Sequence, residues 1–287
     1  MLLLRRVRNL LSAAAGPVST SSGSRLPPPA DRFTAHNIRL DDGTETYPAA
    51  GWLMSENGIF QSARRLLQIV YPEGLKGRSI VDIGCLEGGF TTEFARLGMI
   101  ATGIEVRESN YRNCLRVKAA TNLPDLQFVR DDATNISNYG PFDAVFICGL
   151  LYHLDRPKQF LTDTARICRR VLFLETHVTH AERTPSVDIY KLSDLTENEG
   201  LRGRWFPEYR DVTPEELDRM KWASWSNNRS FWVQKEFLLQ LLSDLGFDLV
   251  LEQFDCDKDI VDQWTTTGWR KTNSRVLLAA IKSAAQT

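Results

Sequence analysis

Apolar positions along this chain follow two periods. Short, nearly unbroken apolar runs at residues 79–83, 99–104, 127–129, 144–148 and 170–174 predict strands buried on both faces of a sheet. Between them the spacing becomes helical. Residues 55–70 put Ile59, Ala63, Leu66, Leu67 and Val70 on one face, with a cap near Ser55, and residues 91–97, 109–121 and 157–169 read as further helices. A helix at 235–245 ends at Gly246, and strands at 247–254 and 275–281 complete the order. This alternation predicts an α/β fold: a doubly wound, mostly parallel sheet with helices on both faces.

Two segments depart from the pattern. Residues 1–30 contain no acidic residue, carry Arg5, Arg6, Arg8 and Arg25, and end in Pro27-Pro-Pro29. They are excluded from the fold, and three readings stay open for them: a mitochondrial transit peptide, a basic membrane-touching helix, or an unstructured tail. Residues 31–57 form a lead-in with a turn at Asp41-Asp-Gly43. Residues 177–234 are far too long for an ordinary α/β connection and are rich in tryptophan and arginine, which predicts an inserted cap. Its aromatic residues form either the insertion's own core or the lining of an acceptor pocket. The interleaved Arg202, Arg204, Arg210, Lys221 and Arg229 would suit an anionic or sugar-like acceptor, or a nucleotide base stacked on tryptophan.

Charge narrows the partners. With 35 basic and 36 acidic residues the formal net charge is −1, so no cationic excess favours nucleic acid. Cys85, Cys114, Cys148, Cys168 and Cys256 are odd in number and scattered, which implies buried thiols in a reducing, cytoplasmic setting, or the mitochondrial matrix if the head is a transit peptide. No run of about 18 uninterrupted apolar residues is present to span a bilayer.

The candidate chemistry starts where the first strand ends on Asp82 and a turn through Gly84, Cys85, Leu86, Glu87, Gly88 and Gly89 opens a helix. The glycines allow a sharp turn and close approach to a ligand. Glu105, 23 residues after Asp82, ends the second strand near the spacing at which an acid meets ribose hydroxyls. The loop lacks the G-x-G-x-x-G of a dinucleotide site, and Glu87 would repel a phosphate. An acidic loop suits a cofactor with an ammonium and a sulfonium, S-adenosylmethionine rather than NAD.

On these residues the chain resembles the class I S-adenosylmethionine-dependent methyltransferases over residues 58–282. Val81-Asp-Ile-Gly-Cys85 resembles the family's first motif, and Gly103-Ile-Glu-Val106 its ribose-binding strand end. Phe128-Val-Arg-Asp-Asp-Ala133 resembles the segment that holds the adenine edge, and the run from Phe142 to Leu154 the fourth strand and its exit. The resemblance implies a seven-stranded sheet with an antiparallel last strand. It implies cofactor contacts from Asp82, Gly84, Cys85, Leu86, Glu87, Gly88, Glu105, Val106, Asp132, Ala133, Cys148 and Gly149. One departure is Leu86, where the family commonly has a second glycine, so the loop is expected to take a different path there.

Methyl transfer from a sulfonium needs alignment and exclusion of water, and a base only where the acceptor loses a proton. His153 after the fourth strand is the candidate base, with Tyr152 beside it, although a histidine there could equally hold the turn. His177, Arg204, Trp205, Trp222 and Trp225 are the candidate acceptor contacts. His177 and His180 could share a metal only on a helix, and the family's metal-dependent members usually present a carboxylate where Cys148 and Gly149 stand, so no metal is expected. Three functions follow: an O- or N-methyltransferase acting on a small molecule or glycan; a tRNA wobble-uridine alkyltransferase, suggested by Gly149-Leu-Leu-Tyr-His153 and Ser230-Phe-Trp232; and a non-catalytic S-adenosylmethionine-binding protein.

Overall fold

The structure, a computed structural model, describes residues 32–253 and 274–283. The head, Cys256 and the end of the strand expected at 247–254 lie outside the described residues.

The elements run α1 (Gly58–Val70), β1 (Ser79–Ile83), α2 (Gly89–Arg96), β2 (Ile100–Glu105), α3 (Glu108–Ala119), β3 (Leu126–Arg130), β4 (Phe142–Cys148), α4 (Pro157–Ile167) and β5 (Cys168–His177). They continue with α5 (Pro185–Ile189), β6 (Thr196–Asn198), β7 (Leu201–Pro207), α6 (Pro214–Arg219), β8 (Arg229–Val233), α7 (Lys235–Asp244), β9 (Leu249–Glu252) and β10 (Arg275–Ile281). Seven strands form one sheet in the order β3-β2-β1-β4-β5-β10-β9. β1 to β5 pair parallel, and β10 runs antiparallel to both β5 and β9.

The period-2 alternation of strand side chains sorts the apolar runs onto two faces. Val81, Ile83, Val145, Ile147, Leu172 and Leu174 join one cluster with Phe160 and Leu161 of α4 and Leu238, Leu241 and Leu242 of α7. Ile80, Ala144, Phe146, Val171 and Phe173 join the other with Phe60 and Leu67 of α1, Phe94 of α2 and Val117 of α3. Phe94, Phe146 and Phe173 are wholly buried, worth about 1.5–3 kcal/mol each in water exclusion. No described helix is long and apolar enough to cross a membrane.

Three local differences from the sequence pattern have physical causes. α1 starts at Gly58, because Ser55 sits in a 3-10 turn (Met54–Glu56) and the Asn57 side chain accepts the Ile59 amide as cap. β5 runs on to His177, three residues past the expected end, because β10 pairs with it as far as Arg275 opposite His177. The insertion carries its own antiparallel sheet, β6-β7-β8, which the aromatic composition concealed. In that sheet a side chain at Gly203 would meet the Trp232 carbonyl at 2.3 Å, so only glycine lets β7 and β8 pair there.

Candidate active site

The carboxyl ends of β1, β2, β3 and β4, adjacent in the sheet, bring Gly84, Glu105, Asp132 and Gly149 to one edge. In open α/β sheets such an edge is where ligands bind. The Gly84 and Cys85 amides donate to the Ile104 carbonyl at 2.9 and 3.0 Å, tying the turn to β2. Gly84 and Gly88 hold φ 76° and 80°, and Leu86 takes 53°, also left-handed. A side chain on Gly88 would come within 2.6 Å of the Phe128 ring. Asp82 is buried and accepts the Thr91 hydroxyl at 2.7 Å; burial pushes its carboxyl up to about 7. Glu105, also buried, accepts the Leu86 amide at 2.9 Å and the Arg107 amide at 2.8 Å, with the Asn110 side-chain nitrogen at 3.3 Å. Burial raises its carboxyl as well, opposed by the Arg107 amide and guanidinium. Asp132 caps the turn Ala133–Asn138 by accepting the Thr134 amide at 2.8 Å. Val106 follows Glu105 and is half-buried, as are Asp132, Ala133, Cys148 and Gly149.

The other half of the site is built from side chains that meet across the sequence. His153 lies on a turn (Leu151–His153) beyond β4, and its Nδ1 sits 2.8 Å from the Glu208 carboxylate, 55 residues later and just past β7. Glu208 is wholly engaged: it accepts the Ser224 amide at 3.0 Å and the Ser230 hydroxyl, and its side chain is 1% exposed. Asn227 donates to the His153 carbonyl at 3.1 Å. The Tyr152 hydroxyl accepts from Arg275 at 2.8 Å, and Arg275 pairs with Glu175 at 3.1 Å. His177 stacks on Trp232 at 4.3 Å, meets Tyr152 edge-on at 4.6 Å and bonds the Ser274 hydroxyl through Nδ1 at 3.1 Å. Burial, then the nearby Arg275 charge, drives the His177 pKa well below normal and keeps the ring neutral. Phe206 and Tyr190 complete this group around Trp232.

Comparison with known proteins follows the same lines. Residues 81–171, about a third of the chain, match the family model described as a methyltransferase domain. Over those residues the chain is similar to the class I S-adenosylmethionine-dependent methyltransferases. It is 26% identical over 153 residues to a ubiquinone biosynthesis O-methyltransferase of Psychrobacter cryohalolentis, covering 51% of this chain and 58% of that protein. It is 29% identical over 105 residues to one of Caulobacter vibrioides, covering 35% and 41%. The chain thus spans roughly half the length of the curated relatives it matches. The crystal structure of the N-terminal domain of EvdMO1 with SAH bound shares the fold, at a TM-score of 0.59 and 18% identity over 98% of this chain and 97% of that one.

The geometry corrects one expectation, that the Glu87 charge is free to act on a ligand. Its carboxylate is fully buried and accepts the amides of Thr34, Ala35 and His36 at 2.9, 3.0 and 2.9 Å and the Lys221 ammonium at 2.8 Å. Burial opposes its ionisation, but the His36 amide and Lys221 outweigh burial and hold the carboxyl below its ordinary value. Glu87 therefore pins the lead-in and the insertion to the loop, and its charge is spent on them rather than on repelling phosphate. His36 in turn accepts the Gly89 amide at 3.0 Å, and burial lowers its pKa to about 4.

The five residues predicted as acceptor contacts do not converge. Arg204 is buried in the insertion, donating to the Ser193 carbonyl at 2.9 Å, and Trp205 packs on Phe231 at 5.0 Å under Arg229. Trp222 is 55% exposed, and Trp225 lies under Arg107 at 5.5 Å. Only His177 joins Tyr152 and His153. The sequence reading missed Glu208, Tyr190, Glu175 and Arg275. None carries a local motif; Arg275 reaches Tyr152 across 123 residues. The signal that existed was strand alternation in β7, which puts Arg204 and Phe206 on one face and Trp205 on the other.

Proposed function

We propose that this chain moves the methyl group of S-adenosylmethionine to an oxygen of a small-molecule acceptor, with the insertion as the acceptor cap. The reading is carried by one arrangement: a buried carboxylate, Glu105, at the end of β2 and a carboxylate-backed imidazole, His153, just past the end of β4, on the same edge of the sheet. The cofactor's fit is supported by Asn110, whose side-chain oxygen is buried without a partner among the described residues while its nitrogen lies against Glu105. A vicinal diol would supply the missing donor there. At Gly84 the nearest atoms a side chain would meet are those of Leu150, at 3.4 Å.

When bound, the cofactor supplies an activated methyl on a cationic sulfur. Glu105 would hold the ribose hydroxyls and Asp132 with the Ala133 amide the adenine edge. Gly84, Cys85, Leu86, Gly88, Cys148 and Gly149 would line the remainder, with Val106 against the base. His153 would take the acceptor's proton, and Tyr152 would face the acceptor with His177 behind it. A carboxylate-backed imidazole serves an acceptor that has a proton to lose, which favours oxygen. The name of the Psychrobacter relative, an O-methyltransferase, supports the same choice.

The test supplies the purified chain with methyl-labelled S-adenosylmethionine and, separately, small-molecule and RNA extracts. Label should enter the small-molecule fraction, and His153→Ala should cut incorporation about 100-fold with S-adenosylhomocysteine affinity within about two-fold. Label in RNA alone would replace this reading with the wobble-uridine one, and unimpaired transfer by His153→Ala would remove the histidine.

A further inference from the structure

The Glu208 carboxylate sits against the His153 ring inside a small hydrogen-bonded network. The Glu208 side chain is 1% exposed, and its hydrogen-bond partners among the described residues are the His153 ring, the Ser224 amide and the Ser230 hydroxyl. A buried carboxylate is costly unless each partner donates to it. Ser224 and Ser230 do so, and the third must as well. A carboxylate can only accept, so Nδ1 of a neutral His153 must carry the ring proton. Nε2 is then the nitrogen with the lone pair, and among the described residues nothing hydrogen-bonds it. Asn227 holds the same residue by its carbonyl and accepts the Ser224 hydroxyl at 2.7 Å, so the insertion fixes both the backbone and the ring of His153.

We propose that Glu208 is the positioning residue of the reaction, locking His153 in the Nδ1–H tautomer so that Nε2 receives the acceptor's hydroxyl proton. This rests on the reading of His153 as the base. In the step the acceptor's O–H bond breaks towards Nε2, its oxygen gains the methyl, and the carbon–sulfur bond pair stays on sulfur as a neutral thioether. The imidazolium that forms then faces a carboxylate already in place, with no reorganisation needed.

The lock predicts an unusual response to an isosteric change. In Glu208→Gln the Ser224 amide, a fixed backbone donor, claims the new amide's oxygen. The NH2 group is thereby turned towards His153, Nδ1 must accept, and the proton moves to Nε2. The chain has four histidines, so nitrogen NMR of the imidazoles in the full-length protein resolves His153 once His153→Gln identifies its signals. The parent should show Nδ1 protonated and Nε2 bare at neutral charge. Glu208→Gln should invert that pattern and cut methyl incorporation from the small-molecule extract on the order of 10²–10⁴-fold, with S-adenosylhomocysteine affinity within about two-fold. Ser230→Ala, which removes one donor and leaves the carboxylate, should keep the Nδ1–H tautomer.

A parent spectrum with Nε2 protonated, or a Glu208→Gln spectrum that matches the parent, overturns the proposal whatever the activity. A correct tautomer in a chain that transfers no label to either extract, or whose His153→Ala variant transfers normally, would leave the lock standing and sink the proposed function instead. If Glu208→Gln fails to fold, a Ser230→Ala spectrum with mixed tautomers decides against the lock.

Discussion

On the β1–β3 side of the site, each candidate contact is a backbone turn or a carboxylate at a strand end, and all lie between Asp82 and Ala133. On the β4–β5 side the contacts are rings and charged side chains gathered from His153, His177, Glu208, Trp232 and Arg275. The first half is set by local chain geometry, and its glycines cannot be replaced without strain or collision. The second half depends on the insertion docking. The Glu87–Lys221 pair and the Arg107 contacts, which reach the carbonyls of Met220 and Ala223, tie the insertion to the first half. A site divided this way can keep one donor and change acceptors by altering the insertion alone.

The strongest way to break this division is at Glu105. If it holds the ribose, Glu105→Ala should weaken S-adenosylhomocysteine about 100-fold by calorimetry, from the loss of charge-assisted hydrogen bonds and of the loop contact to the Leu86 amide. Glu105→Gln should not rescue it. The Leu86 and Arg107 amides approach different oxygens, so one of them would face an NH2 group. His153→Ala, in the other half, leaves the same affinity untouched. Unchanged binding by Glu105→Ala would end the ribose assignment and with it the contrast.

That contrast also explains what the sequence disclosed. The doubly wound order and the Gly84–Glu105 unit were legible because each follows from residues a few positions apart: an unbroken apolar run, a left-handed glycine, an acid at a strand end; the antiparallel last strand was expected from the family resemblance. Glu87 misled because its charge was visible and its partners, the amides of residues 34–36 and Lys221, were not. Trp205 was chosen for its area, yet the face a tryptophan takes on a strand is set by register, which composition does not carry. Glu208 had no local signature at all, since its role exists only when β7 brings it under β4's exit.

Asp82 offers a finer cut within the cofactor half. Its folded pKa of about 7 lies above its ordinary 3.8, raised mainly by burial. The native state thus keeps a proton that the unfolded chain has lost between about pH 4 and 7, and stability from this group falls as pH rises through that window. Asp82→Asn removes the penalty. Its gain in unfolding free energy over the parent should be near zero at pH 4 and largest above pH 7, with a ceiling of about 4 kcal/mol. A cationic cofactor favours the ionised acid, so the same variant should lose cofactor affinity above pH 7. A gain in stability that does not grow with pH would show that Asp82 is ionised without cost and carries no such tension.

The smallest expected effect bears on the loop's path. Leu86 holds φ 53°, a conformation that costs an L-residue about 1–2 kcal/mol and a glycine nothing. Leu86→Gly releases that strain but gives the unfolded chain more freedom, worth about 0.5–1 kcal/mol, and strips a half-buried side chain of its packing. The three contributions nearly cancel, so stability should move by less than about 1 kcal/mol in a denaturant titration. Because the backbone already turns left-handed at residue 86, with its amide fixed on Glu105, S-adenosylhomocysteine affinity should stay within about two-fold. An affinity gain of ten-fold or more would mean that the Leu86 side chain, and not the turn, governs entry to the cofactor half, and local backbone geometry would then no longer suffice to define it.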